Sequence, residues 1–528
     1  MIDLTLGEIA GIVGGRLVGG DPSTAVTGSV EFDSRRLEPG GLFLALPGER
    51  VDGHEFVARA LQAGAAAALV AREVTDVPEG AGAQVVVPPV DRRVTNAMVL
   101  AADSDGSGAA VLAALGSLAR ASVDRLVADH GLVVVGITGS SGKTSTKDLI
   151  GAVLSAAGTV IAPPGSFNNE IGHPWTALRA DESTDFLVLE LSARAPGNIR
   201  ELAEIAPPRI GVVLNVGTAH LGEFGSRDVI AATKGELVEA LPDAAHGGVA
   251  VLNADDDRVL GMAGRTSAEV VTVGTGRSAD LRAEDVRLDD EVRASFRLVT
   301  PDGEADVALR VHGEHQVGNA LSAAAVGLAC GMDVAAVAAA LGTARAASAR
   351  RMDGRVTADG VTVINDSYNA NPDSVRAALK SLAVMARSGG GHRRTWAILG
   401  EMAELGDDSV TEHDLIGRFL VRLDVSQLVV VGRGRPQRAL FQGAVQEGSW
   451  GSEAEHVETA EEASAIVDER VQPGDIVLVK ASAAVGLWSV AEHLLASRGE
   501  EKSEWCSSST SVGTASGRRS AWRAPSRT

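Results

Sequence analysis

The sequence predicts an α/β protein of three domains: a central phosphate-loop ATPase domain on a parallel sheet, flanked by a small N-terminal α/β domain and a C-terminal Rossmann-like domain. Three observations carry that prediction. The chain has 528 residues, too many for one core at roughly 150 residues per domain. Short apolar runs alternate with stretches of helical periodicity along nearly all of it. One glycine-rich turn, at 139–144, lies between such a run and such a helix.

The N-terminal domain, 1–105, rests on GLFLAL at 41–46 and AAAALV at 65–70, around an amphipathic segment at 54–63. ADSDGSG at 102–108 has the composition of a linker or exposed turn. In the central domain, 106–345, LVVVGI reads as a buried strand. Residues 144–157 then place Leu149, Ile150, Val153, Leu154 and Ala157 on one helical face, and Gly158 is expected to end that helix. The runs FLVLEL at 186–191 and IGVVLNV at 210–216 continue a parallel sheet. The third domain, 346–500, opens with VTVIND at 361–366 and repeats the alternation with WAIL, LVVVG and IVLVK. Residues 501–528, rich in Ser and Arg without periodicity, read as a disordered tail or as the product of processing or a shifted reading frame.

Composition narrows the function. Aromatic residues are only 3%, so the cores must be built mainly from Ala, Val and Leu. A formal charge of -21 argues against nucleic acid and anionic membranes as partners, and any bound nucleotide needs a local positive device. Two cysteines, Cys330 and Cys506, make neither a disulfide framework nor a four-thiolate zinc site, and they fit a reducing compartment. The start, MIDLTLGEIAG, lacks the basic-then-apolar order of a signal peptide, and no run approaches the ~18 apolar residues of a membrane span. The expected location is the cytoplasm.

Gly139, Ser140, Ser141, Gly142, Lys143, Thr144 and Ser145 follow a strand and open a helix. In that context glycines let backbone N–H groups turn toward phosphates, Lys143 meets the β- and γ-phosphates of ATP, and the Thr144 hydroxyl can ligate Mg²⁺. The GxxGKT spacing alone specifies ATP use, which kinases, switches and ligases share. Glu190 ends the run FLVLEL at the carboxyl edge of the sheet, where it is either a Mg²⁺ ligand or a solvated strand end. His220 and Lys234 follow the next strand; singly, each would be an ordinary surface or core residue.

Together, TGSSGKTS, SFNNEIG, LNVGTAHLGEFGS, KGEL, GEHQVGNALSAAA and INDSYNANPDSV, in this order and spacing, resemble the Mur ligase family over about residues 30–490. DSYNANP at 366–372, LGEMAELG at 399–406 and His413 resemble the member that adds D-Ala-D-Ala to UDP-N-acetylmuramoyl-tripeptide. The Asp-Asn-Pro-Arg segment of the diaminoacid-adding relative does not occur. The alternatives are that relative, a folate polyglutamate synthase, or a phosphate-loop kinase.

The resemblance implies an acyl-phosphate mechanism with ATP and Mg²⁺, and a protein that works as a monomer. Thr144 and Glu190 are expected to hold one metal ion, and His220 with a carbamylated Lys234 a second. Asn319 is expected at the adenine, and Arg351 and Asp366 at ATP when the domains close about a hinge near 346. Asn369 and Asn371 are expected on the substrate side. Asn168 and Asn169 either face substrate or form an Asx turn, and Ser34 and Arg35 are expected at the UDP group. Gln316 replaces a common Asn, and SARAPGN at 192–198 and Ala483 also depart from the usual pattern.

Overall fold

The computed structural model describes residues 1–47, 51–78, 80–88, 90, 100, 103, 105–218, 221–276, 278–388, 392–448 and 453–499. Three main sheets follow one another along the chain. The first has five strands in the order Arg16–Val18, Ala83–Val86, Ala67–Val70, Leu42–Leu44 and Val30–Glu31. Only Arg16–Val18 runs antiparallel to its neighbour. The runs at 41–46 and 65–70 supply two of these strands, and the amphipathic segment becomes a 3-10 turn, Gly53–Phe56, leading into the helix Val57–Gln62.

The second sheet has nine strands, with Val133–Thr138 between Phe186–Glu190 and Ile210–Val213. Seven run parallel, through Val249–Asn253 and Glu269–Gly274 to Leu281–Leu288. The expected parallel strands are all present, and at this edge Arg293–Thr300 and Gly303–His312 add antiparallel. A short turn joins these two strands, and an antiparallel hairpin needs no helical crossover.

Ser107–His130 forms a helix of 24 residues that begins within the last two residues of the expected linker. It starts after Gly106 and stops at Gly131, both with positive φ, and buried Asp103 accepts a hydrogen bond from Ala109 N. Its Ala, Leu and Val side chains share one core with Leu42, Leu69 and Val85 of the first sheet and with Val134, Leu187 and Leu189 of the second. The helix therefore couples the two sheets through apolar burial.

The helix Lys143–Leu154 buries Leu149, Ile150, Val153 and Leu154 as expected, but ends at Ser155, leaving Ala157 exposed. Ala157 N and Gly158 N both donate to Leu154 O, closing the last turn, and the Asp185 carboxylate then accepts from Thr159 N where the next segment runs beside Phe186–Glu190.

The third sheet has six strands in the order Asp353–Val356, Thr362–Asn365, Ile476–Lys480, Thr395–Leu399, Gln427–Val431 and Ala454–Val457, all parallel except the first. Alternation along its central strands fills two cores: Ile476, Leu478, Ala397 and Leu399 enter one, and Val477, Val479, Trp396 and Ile398 the other. Truncating one such side chain, as in Leu478→Ala, costs about 2–5 kcal/mol. Among the described residues no helix is long and apolar enough to cross a membrane. The segment 501–528 lies outside the described residues.

Candidate active site

The carboxyl edges of the second and third sheets face each other across one cleft of about 610 Å³. Strand Val133–Thr138 delivers the phosphate loop to one side of it. Gly142 has φ 85°, and a Cβ there would stand 2.9 Å from Asn319 Oδ1, so only glycine fits without strain. Asn215 braces the loop: its carbonyl accepts from Ser140 N at 3.1 Å, and its side chain accepts from Ser141 N at 3.0 Å and donates to Ser141 O at 3.2 Å. Lys143 Nζ donates to Gly139 O at 2.6 Å. Desolvation lowers the ammonium below its ordinary value, and the nearby Glu190 opposes this.

Glu190 closes the next strand and is 2% exposed. Its Oε2 accepts from Thr144 Oγ1 at 3.1 Å, Ser166 Oγ at 2.9 Å and Asn168 Nδ2 at 3.3 Å. Its Oε1 is buried without a hydrogen bond, with Lys147 Nζ 3.9 Å away. A buried acceptor with spare lone pairs beside a hydroxyl suits a hard cation, and Mg²⁺ commonly takes one or two protein ligands and completes its shell with water and phosphate. Among the described residues no cluster of three or more His, Cys, Asp or Glu suited to a metal occurs. Lys234 is buried in the last turn of the helix Arg227–Lys234. Desolvation, and then Lys143, push its amine well below the ordinary value. His220 lies outside the described residues.

The opposite wall belongs to the third sheet. Asp366, just after Thr362–Asn365, accepts from Met352 N at 3.1 Å and from Lys480 Nζ at 2.6 Å. Lys480 ends the neighbouring strand, is 2% exposed, and also donates to Asn369 O at 3.0 Å. Arg351 stacks its guanidinium 4.2 Å from the ring centre of Tyr368, and its Nε is buried without a hydrogen bond. Asn371 caps the helix Pro372–Arg387 by accepting from Ser374 N at 2.9 Å. Residues Ser140 to Ser145, Asn168, Glu190, Asn319, Arg351, Asp366, Asn369 and Asn371 all line this one cleft.

Comparison with known proteins matches this layout. Models of the Mur ligase family (catalytic domain), the Mur ligase middle domain and the Mur ligase glutamate ligase domain match residues 27–104, 137–327 and 350–483. A UDP-N-acetylmuramoyl-tripeptide--D-alanyl-D-alanine ligase of Mycobacterium tuberculosis is 57% identical, covering 94% of this chain and 98% of its own length. The Escherichia coli enzyme of that name is 34% identical, with 82% and 87% covered. The chain belongs to the Mur ligase family. Among solved structures, MurF from Acinetobacter baumannii superposes with a TM-score of 0.77 at 30% identity, covering 94% of this chain and 99% of that one. The Thermotoga maritima MurF ligase in complex with ADP gives 0.71 at 26%, covering 89% and 97%.

This Mur ligase is thus an ATP-dependent ligase of three-domain architecture. Its C-terminal domain rests against the central one. A Cβ on Gly222 would stand 2.7 Å from Gly406 Cα, and one on Gly406 2.8 Å from Gly222 Cα, so the two backbones touch. Arg194 pairs with Glu404 at 3.0 Å, and Thr218 N donates to Asp373 Oδ2 at 3.3 Å.

Some expected site residues stand apart from the cleft. Asn169 is not in its lining; its side chain accepts from Gly172 N at 2.9 Å, the turn role left open in the sequence. Ser34 and Arg35 also lie elsewhere, Arg35 being exposed and bound to Asp33 at 2.8 and 2.9 Å. Their segment meets the central domain through Trp175, whose Nε1 donates to Val30 O at 2.8 Å. Asn215, Ser166, Tyr368 and Lys480 were not singled out from the sequence. Lys480 left a signal, a cation ending the apolar run IVLVK at a sheet's carboxyl edge.

Proposed function

We propose that this chain uses ATP to join D-alanyl-D-alanine to UDP-N-acetylmuramoyl-tripeptide, giving the pentapeptide precursor of peptidoglycan. The observation that carries the substrate assignment is 57% identity, over 94% of the chain, to a relative bearing that name. The chemistry fits the cleft. A carboxylate is a poor electrophile, so the γ-phosphoryl group passes to it first, and the dipeptide amine displaces phosphate from the acyl phosphate. Two anions must meet, so positioning and charge neutralisation are the main catalytic tasks.

In this reading the phosphate-loop N–H groups and Lys143 hold the ATP phosphates, Asn319 contacts the base, and Arg351 and Asp366 reach ATP from the C-terminal wall. Asn168, Asn369 and Asn371 face the peptide side, and Ser34 and Arg35 serve the UDP group from the N-terminal domain. Thr144 and Glu190 would hold Mg²⁺, which supplies charge neutralisation when bound. His220 and Lys234 as a carbamate would serve a second ion; desolvation, and then Lys143, lower the Lys234 amine well below its ordinary value, which favours the neutral form that carbamate formation needs. Contact between the central and C-terminal walls would keep water from the acyl phosphate. We place the domains at 1–105, 106–345 and 346–500, and the enzyme in the cytoplasm as a monomer.

Incubation with ATP, UDP-muramoyl-tripeptide and D-Ala-D-Ala should release phosphate only when all three are present. Release with a single diaminoacid in place of the dipeptide would overturn the substrate assignment. Lys234→Ala should be inactive and partly rescued by short carboxylic acids, whereas full activity in that variant removes the carbamate.

A further inference from the structure

Three segments of the chain, one of them remote in sequence, meet beneath Glu190 on a network of buried charge that the roles above leave unused. Lys147, one turn beyond Lys143, is 3% exposed. Its ammonium donates to the carbonyls of Pro163 and Gly165, lies 3.1 Å from Asp148 Oδ1, and stands 3.9 Å from Glu190 Oε1. Asp148 accepts from both the backbone N (2.9 Å) and the hydroxyl (3.1 Å) of Ser348, 200 residues away. Ser348 Oγ in turn accepts from Gly165 N at 2.9 Å.

Burying a lysine and a carboxylate is unfavourable unless their partners are well placed, and packing alone would be served by an apolar pair such as the adjoining Leu149 and Ile150. Here each partner lies on a different working segment. The helix carries Thr144. The turn at 163–165 leads to Ser166 and Asn168, which hold Glu190 Oε2. Ser348 lies in the connection into the C-terminal domain, three residues before Arg351.

We propose that Lys147, Asp148 and Ser348 are positioning residues: they pin the interdomain connection to the phosphate-loop helix, so that Arg351 is held in fixed register with Glu190 across the cleft. The pin touches neither nucleotide nor peptide. It acts by denying the connection the small displacements that would move Arg351 out of reach, and a misplacement of about 1 Å costs on the order of 100-fold in rate.

The inference rests on the assignment of Arg351 to ATP, and a mutant cycle separates the two. In Ser348→Ala, kcat should fall about 10- to 100-fold, while calorimetric affinity for ADP with Mg²⁺ changes less than about threefold and the melting temperature shows the protein folded. Ser348→Thr keeps the hydroxyl and should stay within about threefold of the parent kcat. Because the pin works through Arg351, the double variant Ser348→Ala/Arg351→Ala should be no slower than Arg351→Ala alone. Additive losses, or a threonine variant as slow as the alanine one, overturn the pin. Full activity in Arg351→Ala would instead overturn the role given to Arg351 itself.

Discussion

The two walls of the cleft are built by opposite means. On the central wall a contiguous stretch, Gly139 to Ser145, presents backbone groups and short side chains, locked from behind by Asn215 and by the hydrogen bonds converging on Glu190 Oε2. On the C-terminal wall Arg351, Asp366, Tyr368 and Lys480 come from separate positions, and a buried ion pair and a cation stacked on an aromatic ring hold them together. The first wall takes its shape from local backbone geometry and the second from charges that neutralise each other. Mutation should therefore expose a chemical fault in the first and a folding fault in the second.

The largest effect tests the first half of that contrast. Lys143→Ala should lose on the order of 10³-fold in kcat/KM for phosphate release with an unchanged unfolding midpoint in urea. A loss of stability as large as the loss of activity would erase the distinction between the walls. The converse applies to Lys480→Met, which leaves the Asp366 carboxylate without its buried partner and should destabilise the C-terminal domain by about 3–5 kcal/mol in urea unfolding. Replacing both, as Lys480→Met/Asp366→Leu, should recover most of that stability without activity.

His173 tests how dry the central wall is behind Glu190. Its ring is fully buried, its Nδ1 lies 3.3 Å from Glu190 O, and desolvation lowers its value from 6.5 to about 4. The folded state therefore keeps it neutral at a pH where the unfolded chain already takes up a proton. Its contribution is intact above pH 6.5 and lost progressively as pH falls from 6.5 to 4, by roughly 3 kcal/mol in all. His173→Leu should flatten the stability profile across that window, and a profile identical to the parent's would show that water reaches the ring. The smallest effect is at the helix start on the other wall: Asn371→Ala removes a cap worth about 1 kcal/mol, readable as a small fall in melting temperature.

Legibility in the sequence followed the same division. The phosphate loop needs positive φ, free N–H groups and a cation within a few consecutive residues, so composition and order reveal it. Glu190 was visible as a charge ending an apolar run. The bracing Asn215, the Lys480–Asp366 pair and the Lys147–Asp148–Ser348 network were not, because each depends on a partner 74, 114 or 200 residues away. Ala157 shows the same limit in the opposite sense: its helical spacing was right, but the regular helix stops at Leu154 and the closing turn leaves the Ala157 side chain exposed.

By itself, then, the sequence determined the alternation of strands and helices, the ATP loop and the ordered motifs of a Mur ligase, since these rest on periodicity and on short-range backbone chemistry. Only the tertiary structure decided that two sheets turn their carboxyl edges toward one cleft, that Asn168 enters it while Asn169 caps a turn, and that Ser34 and Arg35 stand apart. Those outcomes depend on which distant groups satisfy one another's charges and hydrogen bonds once water is excluded.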